Sequence, residues 1–313
     1  MNSLKGTAAF FVASFVTGCA ASSAPGIPLQ SLAPSWSGAA LAKDDLIYVT
    51  NGNEEVTVYS LETQKLVGVL THFTKPMGEC VDASGNIYIT DAGTNTVVEY
   101  AHGGSKAIEK FDDSPDTPYT CAVDPTTGSL AVANNDNIAI WPKGGSGQPT
   151  RYTDSALGSF SGCAYDTAGN LLTTNGASPS AFAWLPHGGS QLVTITMPGP
   201  QSGWQWYYVE GIQWDGRYFV LDSESTAYRV TVLHGLAYYV GDTQLSNDAE
   251  GPYAVYIPSS KSQSTQILVR TYHEELGYYD VESFDYPSGS GGPLFKITHG
   301  IDTPFGLAVS PKN

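Results

Sequence analysis

Three stretches of the chain decide its fold, and they read PMGECVD (76–82), PYTCAVD (118–124) and FSGCAYD (160–166). The aspartates that end them follow one another at steps of 42 residues. Self-similarity at a fixed period of this size is the signature of a repeat architecture, in which each repeat is one supersecondary unit. The sequence therefore predicts a ring or stack of similar units.

Each of these stretches opens a unit of four strands. Small residues at alternate positions of the first strand allow several copies to converge around one axis. The aspartate then begins a glycine-containing turn, which admits positive φ, and the second strand is β-branched or aromatic, as in ASGNIYITD (83–91). A third strand such as TVVEYA (96–101) and a fourth such as KAIEKF (106–111) complete the unit. Four strands per repeat of this length predict a propeller blade.

Weaker copies of the unit extend the series to both ends of the chain. VEGIQWDGRYFVLD (209–222) begins a fifth unit and PYAVYIP (252–258) a sixth. DDLIYVTN (44–51) is a second strand with a poor first strand, whereas PFGLAVSP (304–311) is a first strand with nothing after it. We predict an all-β, six-bladed β-propeller over residues 41–313. Its ring is closed by the C-terminal strand, which completes the N-terminal blade and removes the exposed edges.

The repeat pattern P-x-G-[apolar]-A-V-D-x-x-G-N-[IL]-Y-[VI] covers about residues 44–311. It resembles the NHL-repeat propellers of bacteria and, more distantly, the gluconolactonase and senescence-marker lactonase propellers. The resemblance implies the architecture but says little about function, because this scaffold carries unrelated chemistries. The resemblance to the lactonases implies a divalent cation near the channel mouth. In that family the carboxylate and amide ligands of the cation stand just before the small residue of the innermost strand.

That ligand position can be compared across all six predicted blades. The residues there are Met77, Tyr119, Ser161, Glu210, Tyr253 and Phe305. The small residues beside them are Gly78, Thr120, Gly162, Gly211, Ala254 and Gly306. Only Glu210 matches a ligand, in a context that resembles the lactonase E-G-P-x-W-D motif. One carboxylate makes a poor divalent site, so we predict no metal and no cofactor, assign no catalytic residue and disfavour a metal-dependent lactonase.

The N-terminus carries an export signal. Residues 1–18 have the short apolar run of a signal peptide, too short to span a bilayer, and Val16 to Cys19 resemble a bacterial lipobox. We predict that Cys19 is acylated and that residues 19–40, rich in Ala, Ser and Pro, form a tether. The protein would then lie in the bacterial cell envelope, attached to the membrane through this lipid alone.

Three further cysteines, Cys80, Cys121 and Cys163, have small and apolar neighbours. An odd number does not describe a disulfide scaffold, so we expect buried thiols that pack as small hydrophobic groups. A Cys121–Cys163 bridge stays open as an alternative, and the redox state of all three is undecided.

The charge balance excludes one class of partner. The chain has 30 acidic and 14 basic residues, a formal net charge of −16. Nucleic-acid binding requires a basic face, so we expect no nucleic-acid partner. Charge of this sign also favours solubility, and we expect a monomer.

A candidate ligand site lies at the channel mouth. The connection GPQSGWQWYYVEG (199–211) brings aromatic residues next to Glu210, and the ring of innermost strands adds others. Aromatic surfaces with a few polar anchors suit a sugar ring, a flat organic molecule or a peptide. The alternative is that these aromatic side chains pack between blades as core. The candidate residues are Glu210, Trp204, Trp206, Tyr207, Tyr119, Tyr253, Phe305 and Met77.

Two further polar features leave their interpretation open. Glu79 stands where the other repeats have Cys121 and Cys163, so it is either a buried carboxylate with a raised pKa or the acceptor of a structural hydrogen bond. The run from His273 to Glu275 is either a metal-ligand or acid–base cluster or a solvated hairpin.

Three functions are compatible with these features. We favour a cell-envelope binding or scaffold protein that engages a small molecule, a glycan or an envelope protein at the channel mouth. The second is a lactonase-like or lyase-like enzyme with an atypical site around Glu210. The third is a purely structural interaction module.

Overall fold

A computed structural model describes residues 43–143, 145, 147–209, 211–223, 225–246, 248–258, 265–289 and 291–312, and of residues 250–253 the backbone only. The predicted signal peptide, Cys19, the tether and Glu210 lie outside the described residues. Within the described ranges all regular structure is β-sheet. In this part of the chain no helix has the length and hydropathy needed to cross a membrane.

The described strands form six antiparallel sheets of four strands each, which we call blades I to VI. The strands of blades I to III are β1 (Leu46–Asn51), β2 (Val56–Ser60), β3 (Leu66–Leu70), β4 (Pro76–Val81), β5 (Ile87–Asp91), β6 (Thr96–Tyr100), β7 (Ala107–Asp112), β8 (Pro118–Val123), β9 (Leu130–Asn134), β10 (Ile138–Trp141) and β11 (Thr150–Tyr152). Those of blades IV to VI are β12 (Gly162–Tyr165), β13 (Leu171–Thr174), β14 (Phe182–Leu185), β15 (Val193–Ile195), β16 (Ile212–Trp214), β17 (Phe219–Ser223), β18 (Thr226–Leu233), β19 (Leu236–Gln244), β20 (Ala249–Tyr256), β21 (Gln266–His273), β22 (Tyr278–Asp285) and β23 (Phe295–Ile297).

The last strand, β24 (Pro304–Ser310), closes the ring. It is the innermost strand of blade I, whose order is β24-β1-β2-β3. It pairs antiparallel with β1, so that Thr50 lies opposite Gly306 and Leu46 opposite Ser310. The predicted fold class, including the closure by the C-terminal strand, is confirmed.

The core lies in the seams between neighbouring blades, because successive side chains of a strand point to opposite faces. On β8, Cys121 packs with Tyr88 and Phe111 of blade II. On β12, Cys163 packs with Ala131 and Ala133 of blade III. Equivalent positions therefore face the same way round the ring, toward the preceding blade. Each large apolar side chain buried in a seam contributes roughly 1.5–3 kcal/mol.

This alternation explains the cysteine pairing, which differs from the prediction. Cys80 and Cys121 form a disulfide with a Cα–Cα distance of 5.5 Å, and Cys163 is a buried free thiol. The expectation of a thiol is right for Cys163 and wrong for Cys80 and Cys121, and the alternative Cys121–Cys163 bridge is wrong. Cys121 and Cys163 point the same way round the ring, whereas Cys80, one position further along its strand, points back toward Cys121.

The register of blade VI also differs from the sequence alignment. A β-bulge interrupts the β20–β21 pairing between Glu250 and Tyr253, and Tyr253 lies opposite Val269. In blade III the residue in this register is Cys121, opposite Val132. The alignment of Tyr253 with Tyr119 is therefore wrong, because the bulge leaves two residues of β20 unpaired between Glu250 and Tyr253, which the sequence does not reveal.

Candidate functional site

A cavity of about 400 Å³ lies at the end of the central channel where the innermost strands begin. We call it the upper cavity. Residues of all six blades line it, among them Gly306 of blade I and Arg270 of blade VI. A second region of about 270 Å³ continues the channel toward the other end, and Glu79, Ile212 and Gln213 line both regions. Propeller geometry thus gathers side chains that are distant in sequence around one hollow axis.

Three of the predicted ligand-binding residues line the upper cavity: Met77, Tyr119 and Phe305. Tyr119 donates its hydroxyl proton to Asn135 Oδ1 at 2.8 Å, which fixes the ring at the wall. Phe160, at the entrance to blade IV, lies behind the wall, because it is 1% exposed and packs in the core. The wall therefore offers apolar faces from blades I, II and III.

The aromatic loop before blade V does not reach this lining in the described structure. Trp206 is only 4% exposed and packs in the core with Phe182 and Tyr228. Its indole N–H donates to the Met197 carbonyl at 3.0 Å. Trp204 and Tyr207 are exposed at 38% and 45%. Trp206 therefore packs between blades as a core residue, which was the alternative interpretation of this loop. Glu210 and the side chain of Tyr253 lie outside the described residues.

The second strand of each blade has one position next to the start of the innermost strands. In blade II this residue is Thr90, whose hydroxyl accepts the Gly78 N–H at 2.8 Å and lies 2.9 Å from the Tyr119 carbonyl. In blade I, Thr50 donates to the Met77 carbonyl in the same way. The hydroxyl thus joins the innermost strands of neighbouring blades and satisfies backbone groups that the strand pairing leaves open.

Blades V and VI carry charged residues at this position, and the sequence analysis missed them. Asp222 accepts the Gly211 N–H through Oδ1 at 2.6 Å, and Arg270 donates to the Pro304 carbonyl of β24 at 3.0 Å. Both line the upper cavity. The signal was present in the second-strand column, which reads Thr50, Thr90, Ala133, Thr174, Asp222 and Arg270.

Glu79 is the buried carboxyl group of the channel. It is 3% exposed, and neither of its carboxyl oxygens has a hydrogen-bond partner among the described residues. Burial raises its pKa well above the ordinary value of 4.5, and the Thr50 backbone offsets this only in part. A side chain at Gly306 would overlap Glu79 Oε2, so β24 requires glycine there. Burial favours the protonated acid, which is a hydrogen-bond donor.

No protein-family model and no curated protein matches this sequence. Solved structures do match over most of the chain. The crystal structure of a nidogen/laminin complex superposes with a TM-score of 0.63 at 14% identity, covering 86% of this chain and 99% of the other. This protein shares a propeller fold with that neighbour.

Two proteins of unknown function are similar to the same degree. One, from Bacteroides caccae, has a TM-score of 0.60 at 12% identity and covers 85% of this chain and 99% of its own. Another, from Desulfotomaculum acetoxidans DSM 771, has a TM-score of 0.57 at 11% identity, with coverages of 86% and 100%. At these identities the likeness concerns the fold alone, which hosts unrelated functions.

Proposed function

We propose that this protein is an exported binding protein that takes a small organic molecule into the upper cavity. One observation supports this above the others: all six blades line a cavity of about 400 Å³. Ligand pockets typically measure about 300–1,000 Å³ and combine apolar walls with a few convergent polar groups. The upper cavity has both properties.

The wall suggests the class of ligand. Met77, Tyr119 and Phe305 provide apolar surfaces for a flat face. Glu79, whose pKa is raised by burial, provides a proton donor when it is protonated, and the carboxylate of Asp222 in blade V provides an acceptor. A sugar ring or a hydroxylated aromatic molecule of one or two rings has both a flat apolar face and hydroxyl groups for these partners.

Binding without chemistry accounts for this arrangement. Asp222 accepts the N–H of the small residue on its innermost strand, as Thr90 does in blade II. Its position therefore has a structural explanation in the repeat, and the geometry requires no proton transfer.

The proposal includes export and attachment to the cell envelope through a lipid on Cys19. Two features support it. The sequence from Val16 to Cys19 has the form of a lipobox, and the Cys80–Cys121 disulfide is of a kind that persists in oxidising compartments.

A thermal-shift experiment on the chain without its signal peptide tests the binding function. The probes are monosaccharides, disaccharides and hydroxylated aromatic acids, each at a concentration of several millimolar. A ligand at 100 times its dissociation constant stabilises the folded state by about 2.7 kcal/mol. We expect at least one class of probe to raise the melting temperature, and Tyr119→Ala and Phe305→Ala to abolish the rise.

Tyr207→Ala is the matched control, because it removes an exposed aromatic side chain outside the cavity. It should keep the full response. An equal response in all variants, or none in any, contradicts the proposal. Recovery of one envelope protein in a pull-down without any small-molecule response would favour the interaction module instead.

A further inference from the structure

A second polar cluster lies in blade VI, on the hairpin of its second and third strands, and its residues do not line the upper cavity. The hairpin of β21 and β22 places Thr271 directly opposite Asp280. His273 follows Thr271 by two residues on β21, and Glu282 follows Asp280 by two residues on β22. Because side chains alternate along a strand, residues two apart share a face. The four side chains therefore belong to one face of this hairpin.

The side chains of the cluster are close enough to share one ligand. His273 Nε2 lies 3.0 Å from Asp280 Oδ2. One potential ligand atom each from His273, Asp280 and Glu282 lie within 4.8 Å of one another. Asp280 is fully buried, Glu282 is 1% exposed, and the His273 side chain is 17% exposed. The cluster is thus a preformed, nearly dry site whose histidine reaches the surface.

Several oxygens in the cluster have no hydrogen-bond partner among the described residues. They are Asp280 Oδ1, Glu282 Oε2 and the hydroxyl oxygen of Thr271. The Thr271 side chain is fully buried. Buried polar groups are nearly always paired, and an unpaired one costs about 1–3 kcal/mol. Three such oxygens around one histidine indicate that a cationic group belongs between them.

The cations nearby only partly meet this need. Lys296 of β23 contacts Glu282 Oε1, but its side chain is 46% exposed and carries a single charge. His273 is neutral unless protonated. Asp248 Oδ2 lies 4.0 Å from His273 Nδ1 and adds negative charge at the outer side of the ring. A carboxylate beside the second ring nitrogen is the arrangement that orients metal-bound histidines.

We propose that His273, Asp280 and Glu282 bind a divalent transition-metal ion of the zinc class, independently of the upper cavity. A histidine nitrogen with two carboxylates matches zinc better than calcium or magnesium, which prefer oxygen alone. Thr271 supplies a hydroxyl opposite Asp280, and the Asp248 carboxylate lies 4.0 Å from the second ring nitrogen of His273. The ion joins β21 to β22, so its role is structural.

Lys296 occupies the cluster when no metal is bound. Lys296 contacts Oε1 of Glu282, and a metal ion at Oε2 would place a second cation on the same carboxylate, so the two repel each other and the exposed Lys296 side chain moves away when the ion enters. The proposal therefore predicts competition between Lys296 and the metal, which a purely structural ion pair would not show.

Calorimetric titration of ZnCl₂ into chelator-treated, dialysed protein tests the proposal, with MnCl₂ and CaCl₂ as further probes. We expect one zinc per chain and a concentration-dependent rise in melting temperature. His273→Ala should weaken zinc binding at least tenfold, while His187→Ala, an exposed histidine outside blade VI, should leave it unchanged. Lys296→Met should tighten zinc binding severalfold.

The Lys296→Met variant keeps the test decisive if His273→Ala fails to fold, because misfolding cannot tighten binding. The proposal is overturned if the wild-type protein takes up no stoichiometric zinc. It is equally overturned if Lys296→Met binds zinc no more tightly than the wild type, or if His187→Ala loses the zinc and a folded His273→Ala keeps it.

Discussion

The regular blades II to IV and the divergent blades V and VI differ in the residues of their second strands, and blades II and V show the difference most directly. In blade II the Thr90 hydroxyl accepts the Gly78 N–H at 2.8 Å. In blade V the Asp222 carboxylate accepts the Gly211 N–H at 2.6 Å. Both side chains accept the backbone N–H of the innermost strand, but Asp222 also brings a negative charge to the channel wall. A position in the repeat can therefore carry a charged group and keep its structural hydrogen bond.

The two regions also differ in their outer strands. In blade IV the third and fourth strands have four and three residues, whereas in blade V they have eight and nine. In blade VI the second and third strands, β21 and β22, have eight residues each, and the added length carries His273. The regular blades form the scaffold, and the divergent blades hold charged groups at the channel and in the hairpin of blade VI.

The largest expected effect concerns the regular half, where a disulfide joins blades II and III. The double variant Cys80→Ala/Cys121→Ala should lower the free energy of unfolding by about 4 kcal/mol, since the bridge closes a loop of sequence separation 41. Urea unfolding with and without reductant measures this. The matched variant Cys163→Ala should lose less free energy of unfolding, and its urea midpoint should still fall when reductant is added. If reductant does not change the urea midpoint of the wild-type protein, the Cys80–Cys121 pairing is refuted.

The next largest effect is a pH dependence of stability that comes from Glu79 in blade II. Burial raises the pKa of Glu79 above its ordinary value of 4.5. At pH values between the ordinary pKa of Glu79 and its raised pKa in the folded protein, the folded state binds one proton more than the unfolded state. The free energy of unfolding therefore falls as pH rises, by up to about 1.4 kcal/mol per pH unit.

Glu79→Gln should remove this dependence, which urea unfolding from pH 5 to pH 8 would measure. Other buried acids, such as Asp113 and Asp280, have raised pKa values too. The test is therefore the difference between variant and wild type. A constant difference across this pH range would show that Glu79 ionises at its ordinary value.

The smallest effect on stability comes from exchanging a divergent residue for a regular one. Asp222→Thr keeps an acceptor for the Gly211 N–H, as in blade II, but replaces a charge-assisted hydrogen bond with a neutral one. We expect a loss of about 1 kcal/mol in the free energy of unfolding and complete loss of the small-molecule thermal shift. Retention of that shift would assign Asp222 to the scaffold alone.

The sequence was sufficient to predict the architecture, because the period of 42 residues and the unmatched strands at both ends determine the ring. It also identified Met77, Tyr119 and Phe305, since a single column of the repeat places them at the channel mouth. The architecture and these three positions follow from local sequence patterns, which recur several times in a repeat protein.

The features that could not be predicted depend on neighbours across a seam. The Cys80–Cys121 pairing follows from which way each side chain faces round the ring. The register of Tyr253 depends on a bulge, and the burial of Trp206 depends on its contact with Tyr228 of the next blade. Asp222 and Arg270 are the two charged residues of the second-strand column, and the first-strand column gives no sign of them.

The pairing of β24 with β1 has a consequence for synthesis. Until the ribosome has made residues 304–310, blade I is one strand short and β1 presents an unpaired edge. Such an edge invites association with other strands. A nascent chain of this protein therefore keeps one open strand edge for as long as elongation lasts, even after its middle blades have all their residues.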